Sequence, residues 1–229
     1  GYISFGREKA KGYEISDLKE FWHFGQELEK NDPLSSEYEP NIYCDELPEF
    51  NKIGREVFKI LEETGLFILR ALALHLELEE TYFDKKVKGG NSILRAIHYP
   101  PIQTEPKGAV RAAAHGDINL ITILMGASAS GLEIKTRNGD WIAVTALPNQ
   151  VVVNIGDMMS RLTNNKLHSS IHQVVNPPKS EWMKPRFSIP FFMHPRSEMS
   201  LNCLPSCFSE NNPKLYNDIT AGDFLEERI

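Results

Sequence analysis

The sequence is short of the features that mark several protein classes. It has 3 cysteines in 229 residues, an odd count with no dense framework, which excludes a disulfide-stapled scaffold and points to a reducing compartment. Cys203 and Cys207 stand four apart in CLPSC, a spacing that suits neither a zinc knuckle nor a redox pair, and with Cys44 they read as ordinary thiols. Positive charge is also scarce. Lys and Arg total 25 against 31 Asp and Glu, a net charge of −6, so there is no basic footprint for nucleic acid or an anionic membrane. The short cluster Lys85, Lys86 and Lys88 reads as solvated loop. No apolar run approaches a membrane span, since LFILRALALHL is broken by Arg70. Signal peptide, internal repeat and low-complexity tract are all missing from view. The expectation is a cytoplasmic protein, long enough to bury a sizeable core without disulfides.

The first half reads mainly helical. SDLKEFWHFGQELEK, residues 16–30, predicts a helix with Ser16 and Asp17 as cap candidates and Leu18, Phe21, Trp22 and Leu28 on its apolar side. Trp22 and His23 are expected to pack rather than to touch a ligand. Residues 31–48, with Pro33, Pro40 and Pro48, read as a loop. From Pro48 a long helix follows, with Phe50, Ile53, Val57, Ile60 and Leu61 at helical spacing, an interruption expected at Gly65, and His75 as a packed histidine.

The texture changes at Gly89-Gly90. SILRAIHY, INLITIL, GLEIK, WIAV, QVVVNI, SSIHQVV and RFSIPFF are short, rich in Val, Ile and aromatics, and separated by Gly, Pro and Asn, the pattern of a β sandwich or barrel. GLEIKTRNGDWIAV predicts a hairpin turning at Asn138-Gly139, where positive φ is required. After Pro195 the chain reads as loop, with a short helix at AGDFLEERI.

In AAAHGDINLITIL, His115 and Asp117 stand two apart at the head of a β-branched run. On a strand such residues face the same way, roughly 6 to 7 Å apart along the chain, and Gly116 adds no bulk between them. A surface His–Asp pair is the plain reading of these two alone; two ligands of a metal is the other. A third ligand has to come from another strand, and NNKLHSSIHQVVNPP offers His168 and His172 on one parity. Either would complete two histidines and a carboxylate with open positions, the facial arrangement of non-haem Fe(II) oxygenases. Arg186 and Ser188 in KPRFSIPFF share a strand face, and a guanidinium fork with a hydroxyl suits a carboxylate.

Taken in order, LRAIHYPP, AHGDINLITIL, GLEIKTRNGDWIAV, VVVNIGDMMSRLTNNKLHSSIHQVVNPP and RFSIPFFMHP, between Ile93 and Pro195, resemble the isopenicillin N synthase-like branch of the iron(II)- and 2-oxoglutarate-dependent dioxygenases. The resemblance implies a mainly β fold with α: a double-stranded β-helix (jelly-roll, cupin-like) core flanked by N-terminal helices. It implies His115, Asp117 and His172 as ligands of Fe(II). The 55 positions from Asp117 to His172 suit the family's pattern, and the histidine just before Gln-Val-Val-Asn-Pro takes the role over His168. It implies Arg186 and Ser188 on the distal carboxylate of 2-oxoglutarate, with Tyr99 helping to hold this co-substrate. The family's asparagine two positions before that tyrosine is Ile97 here. Asn154 to Asp157, NIGD, match a structural turn.

The expected chemistry is activation of O2, with decarboxylation of 2-oxoglutarate to succinate and CO2 and oxidation of a small-molecule substrate by hydroxylation, desaturation or cyclisation. An iron/O2 oxidase without 2-oxoglutarate is the alternative, and a non-catalytic metal- or ligand-binding barrel the third. No motif names the substrate. Residues 1–229 are expected to form a single oxygenase domain: a mainly helical front layer at 1–88, the double-stranded β-helix at 89–195 and a loop and helix tail at 196–229. A native segment preceding GYISFG is expected from the family pattern, and a monomer that binds neither nucleic acid nor membrane.

Overall fold

A computed structural model describes every residue except Ala10, Lys11, Lys30, Pro148 and Ile229. Ten strands are present among the described residues: β1 (Tyr2–Ile3), β2 (Glu20–Gly25), β3 (Ile93–Tyr99), β4 (Ala112–His115), β5 (Ile121–Met125), β6 (Leu132–Lys135), β7 (Trp141–Ala143), β8 (Val151–Ile155), β9 (His172–Val174) and β10 (Arg186–Met193). They form a six-stranded sheet in the order β1-β2-β3-β10-β5-β8 and a four-stranded sheet in the order β4-β9-β6-β7. Every pairing is antiparallel. The helices are α1 (Pro48–His75), α2 (Asp84–Val87), α3 (Asp157–Leu162) and α4 (Ala221–Glu226). Among the described residues no helix is long and apolar enough to cross a membrane. Seven strand segments expected from the sequence, SILRAIHY to RFSIPFF, correspond to β3 and to β5 through β10.

Each sheet has an apolar inner face, and together they enclose a cluster of Phe21, Ile97, Tyr99 and Leu124 from the larger sheet with Ala112, Leu132 and Val174 from the smaller. The outer face of the larger sheet is covered by α1, where the Phe58 and Phe191 rings meet edge to face at 5.1 Å. α1 runs through Gly65 without a break, contrary to the expected interruption. A Cβ at Gly65 would lie 2.4 Å from Sδ of Met193, so the glycine serves close packing of helix on sheet. His75 is exposed rather than packed.

The segment expected to be a helix over 16–30 is a strand at 20–25 instead; its last residue, Lys30, lies outside the described residues. Glu20 to Gly25 pair with His98 to Ile93, all of β3 but Tyr99. Phe21 enters the cluster between the sheets and Phe24 the cluster under α1, so odd and even positions are buried on opposite faces. A strand buried on both faces loses the polar alternation that identifies it, and its aromatic run imitates an amphipathic helix. Ser16 and Asp17 are not caps: Asp17 accepts a hydrogen bond from the Ala113 amide at 3.0 Å and pairs with Lys19 at 2.9 Å. The helices of the front layer are therefore α1 and α2, while β1 and β2 extend the sheet.

The β6–β7 hairpin also differs in detail. The Gly139 amide donates to the Thr136 carbonyl at 3.0 Å, and Gly139, at φ 92°, is left-handed while Asn138 is not. This is a turn closed by one left-handed glycine rather than a two-residue turn with both residues at positive φ.

Candidate metal centre

β4 is an edge strand with an irregular register against β9. Between the pairs Ala112↔Val174 and His115↔His172 it carries one extra residue. Such a bulge re-aims a side chain, and here His115 and His172 end as direct partners with ring centroids 4.4 Å apart. Asp117 does not share a strand face with His115, as the sequence predicts; β4 ends at His115, and Asp117 lies in the connection that crosses to β5 in the other sheet. The crossing turns its carboxylate back. Oδ1 is 3.9 Å from His115 Nε2 and 3.8 Å from His172 Nε2, and the three potential ligand atoms lie within 4.8 Å of one another. His168 is exposed and stands apart from this group.

Each of the three side chains is oriented by a further contact. His115 Nδ1 lies 2.7 Å from the Ala113 carbonyl and His172 Nδ1 lies 2.9 Å from the Ser170 carbonyl. A carbonyl only accepts, so both Nδ1 atoms carry the proton and both Nε2 lone pairs face Asp117. Burial, and then the neighbouring His172, pull the pKa of His115 below the usual imidazole value, which keeps that lone pair available. Thr122 donates to Asp117 Oδ2 at 2.6 Å and itself accepts from Asn119 Nδ2 at 2.9 Å. Two imidazoles and one carboxylate, each held from behind, fit an Fe(II) ion with positions left open.

The Asn119–Thr122–Asp117 relay has no signature in the sequence, and it is testable. Thr122→Val should weaken binding of Co(II), used as a spectroscopic substitute for iron, by about tenfold, the lower end of what loss of an outer partner does; titration of the visible absorption reads it. Gly156, in the NIGD turn, precedes α3, and a Cβ there would lie 2.2 Å from the Asn119 carbonyl oxygen. Gly156→Ala should therefore cost about 1–3 kcal/mol, the range of overpacking, seen as a lowered Tm. Asn154 of the same motif does more than turn the chain: it is buried opposite Thr122 and lines the cavity of the three candidate ligands.

That cavity also holds the predicted carboxylate-binding group. Arg186 and Ser188 on β10 oppose Tyr99 and Ile97 on β3. Arg186 is 1% exposed, and its guanidinium lies 4.9 Å from the Tyr99 ring centroid. Its Nε donates to the Ala129 carbonyl at 3.1 Å, while Nη1 is buried without a partner among the described residues. Burial pulls its pKa below the usual guanidinium value. A buried cation with an unused donor requires an anion, and the distal carboxylate of 2-oxoglutarate fits that requirement. Ile97 fills the place of the family's asparagine with hydrocarbon.

The other wall is charged in a way the sequence does not announce. Lys19 and Arg95 line the same cavity. Lys19 is 4% exposed and pairs with Asp17 at 2.9 Å and Glu8 at 3.1 Å. Burial alone would lower its pKa, but these two carboxylates more than offset that and raise it. Arg95 also pairs with Glu8 at 3.1 Å and donates to His23 Nε2 at 2.7 Å. Burial, followed by the Arg95 charge, pushes His23 down to about 3, so it remains a neutral acceptor; Trp22 stacks edge to face on Phe50. The parity of Arg95, Ile97 and Tyr99 on one strand could have revealed Arg95. Nothing local marks Lys19.

Residues 90–195 match the model of the 2OG-Fe(II) oxygenase superfamily. A solved structure of a Caulobacter crescentus protein assigned to the 2OG-Fe(II) oxygenase family is 44% identical, with a TM-score of 0.89 over 100% of this chain and 74% of that one. The chain belongs to the 2OG-Fe(II) oxygenase superfamily. A full-length Neurospora crassa protein, solved in complex with alpha-KG, is 32% identical over 100% of this chain and 74% of its own, with a TM-score of 0.85. The 2-oxoglutarate-Fe(II) type oxidoreductase hxnY of Emericella nidulans is 32% identical over 221 residues, 91% of this chain. The chain spans 62% of the length of that relative. The two sheets are accordingly those of the double-stranded β-helix, and iron(II), 2-oxoglutarate and O2 are the metal and co-substrates of the superfamily.

Proposed function

We propose that the protein is an iron(II)- and 2-oxoglutarate-dependent oxygenase of a small molecule, with His115, Asp117 and His172 as its metal ligands and Arg186, Ser188 and Tyr99 as its co-substrate contacts. The observation that supports this most directly is the buried Arg186, which lines the cavity of the three candidate ligand side chains and whose Nη1 has no hydrogen-bond partner among the described residues. When bound, iron with 2-oxoglutarate supplies an oxidant for a substrate C–H bond, releasing succinate and CO2. The chain's own part is to hold and exclude. Arg186 and Ser188 fix one end of the co-substrate, Tyr99 flanks the guanidinium, and the inter-sheet cluster keeps water from the reacting centre. Neither histidine ligand has to move a proton, since each Nδ1–H is committed to a carbonyl.

The test is anaerobic loading with Fe(II), addition of 2-oxoglutarate and air, and a screen of amino acids and specialised metabolites for succinate formation. Substrate-dependent succinate and CO2 in equal amounts is the expected result. Substrate oxidation with neither product would assign the protein to the oxidase reading, in which Arg186 and Ser188 hold a substrate carboxylate instead.

A further inference from the structure

Arg111 and Arg186 are the largest of the fully buried side chains, at 2% and 1% exposure. Among the described residues neither forms an ion pair with a carboxylate. Arg111 sits just before β4, four residues ahead of His115. Its Nη2 donates to the Lys184 carbonyl at 3.0 Å, and its Nε is buried without a partner among the described residues. Its guanidinium lies 5.9 Å from the Tyr99 ring centroid, where that of Arg186 lies at 4.9 Å. Tyr99 is thus flanked by two buried cations, and each retains an unused donor.

Burying one guanidinium without an anion is costly, and two that repel each other are costlier. Burial first, and the Arg186 charge second, pull the pKa of Arg111 down. The carboxylate that acts on it in the other direction, Glu181, is engaged with Lys184 at 3.1 Å near the surface. A fold keeps such an arrangement when a ligand supplies the missing negative charge. Arg186 lines the cavity with Tyr99, whereas Arg111, 5.9 Å from the same ring, does not.

We propose that Arg111 is a positioning residue of the co-substrate site: from beside Tyr99 it adds a second positive charge that makes the site select a 2-oxo acid with a second, distal carboxylate. This rests on the reading of Arg186 as the distal-carboxylate contact. Arg111 acts through the Tyr99 ring and through its field, and so it contributes to affinity for a dianion and little to affinity for a 2-oxo monoacid.

The experiment is calorimetric binding, under anaerobic conditions, of 2-oxoglutarate and of the monoacid 2-oxovalerate to the Fe(II)-loaded protein. Arg111→Gln retains an N–H for the Lys184 carbonyl and removes the charge. It should raise the Kd of 2-oxoglutarate about tenfold or more, as expected for loss of one nearby charge in a low-dielectric site, with the Kd of 2-oxovalerate unchanged. Arg111→Lys, which restores a charge, should recover most of the loss. Wild-type affinity for 2-oxoglutarate in Arg111→Gln would overturn the proposal, as would an equal loss for both acids or failure of the lysine variant to recover binding. Should Arg111→Gln not fold, Arg111→Lys alone decides: retained preference for 2-oxoglutarate supports the charge, and a preference lost in a folded protein overturns it. Failure of the underlying reading looks different, because then Arg186→Met would bind 2-oxoglutarate as the wild type does.

Discussion

Asp117→Ala is expected to abolish tight metal binding and with it oxygenase turnover. Asp117 is the carboxylate of the three-residue group, 5% exposed, with Oδ1 facing both Nε2 atoms. Two imidazoles without it offer no negative charge to the ion. Because loss of an outer partner already costs about 10–100-fold in affinity, loss of the ligand itself should exceed the upper figure. The metal-free protein should change much less. Thr122 would lose its acceptor, a penalty of about 1–3 kcal/mol. Co(II) titration with parallel thermal melts of the metal-free variants separates these effects. His172→Ala should match Asp117→Ala in the titration, and His168→Ala, at an exposed position, should match the wild type. Loss of metal in His168→Ala with retention in His172→Ala would reverse the assignment.

Arg186→Met carries the second largest effect, in the opposite sense for stability and for binding. With no carboxylate partner among the described residues, the buried guanidinium is a standing cost to the ligand-free fold, and a methionine of similar reach fills the same space without charge. The ligand-free Tm should hold or rise. Affinity for 2-oxoglutarate should fall by about 2–5 kcal/mol, the usual loss when one member of a buried charge pair is truncated; calorimetry on the metal-loaded protein measures it. Ser188→Ala removes only a neutral donor and should cost about 0.5–1.5 kcal/mol. If Arg186→Met lowered Tm strongly and left binding intact, the arginine would be a structural residue.

The parts of the site legible in the sequence are those whose spacing matches a strand. Arg186 and Ser188 are two apart on β10 and do share a face, and their cross-strand partner Tyr99 is marked by the Tyr-Pro-Pro that ends β3. His172 opens β9. Asp117 joins the two histidines, but not through strand parity, which does not extend to it. Its carboxylate reaches them because the chain leaves one sheet for the other at Gly116. The helical reading of 16–30 fails where both faces of β2 are buried, since periodicity reports amphipathicity and β2 has none to report. Lys19, Asp17 and Glu8 escape notice for a related reason. Asp17 reads as a cap and Lys19 as a solvated charge of the expected helix, Glu8 lies outside that segment, and only pairing across 11 positions from Glu8 to Lys19 accounts for the buried ammonium.

The sequence by itself determined the class of the fold and the order of its candidate functional residues. Short β-branched segments divided by turn residues leave few ways to bury their apolar side, and His115, Asp117, His172, Arg186 and Ser188 stand in their order and spacing along the chain. Tertiary structure alone decided how those residues meet. The bulge in β4 sets His115 opposite His172, the crossing between sheets turns Asp117 toward both, and Thr122 fixes its second oxygen. It also decided that Arg111, an ordinary residue in the linear sequence, lies buried beside Tyr99. Burial and the approach of remote groups are properties of the packed chain, and a charge has its largest effect where packing removes it from water.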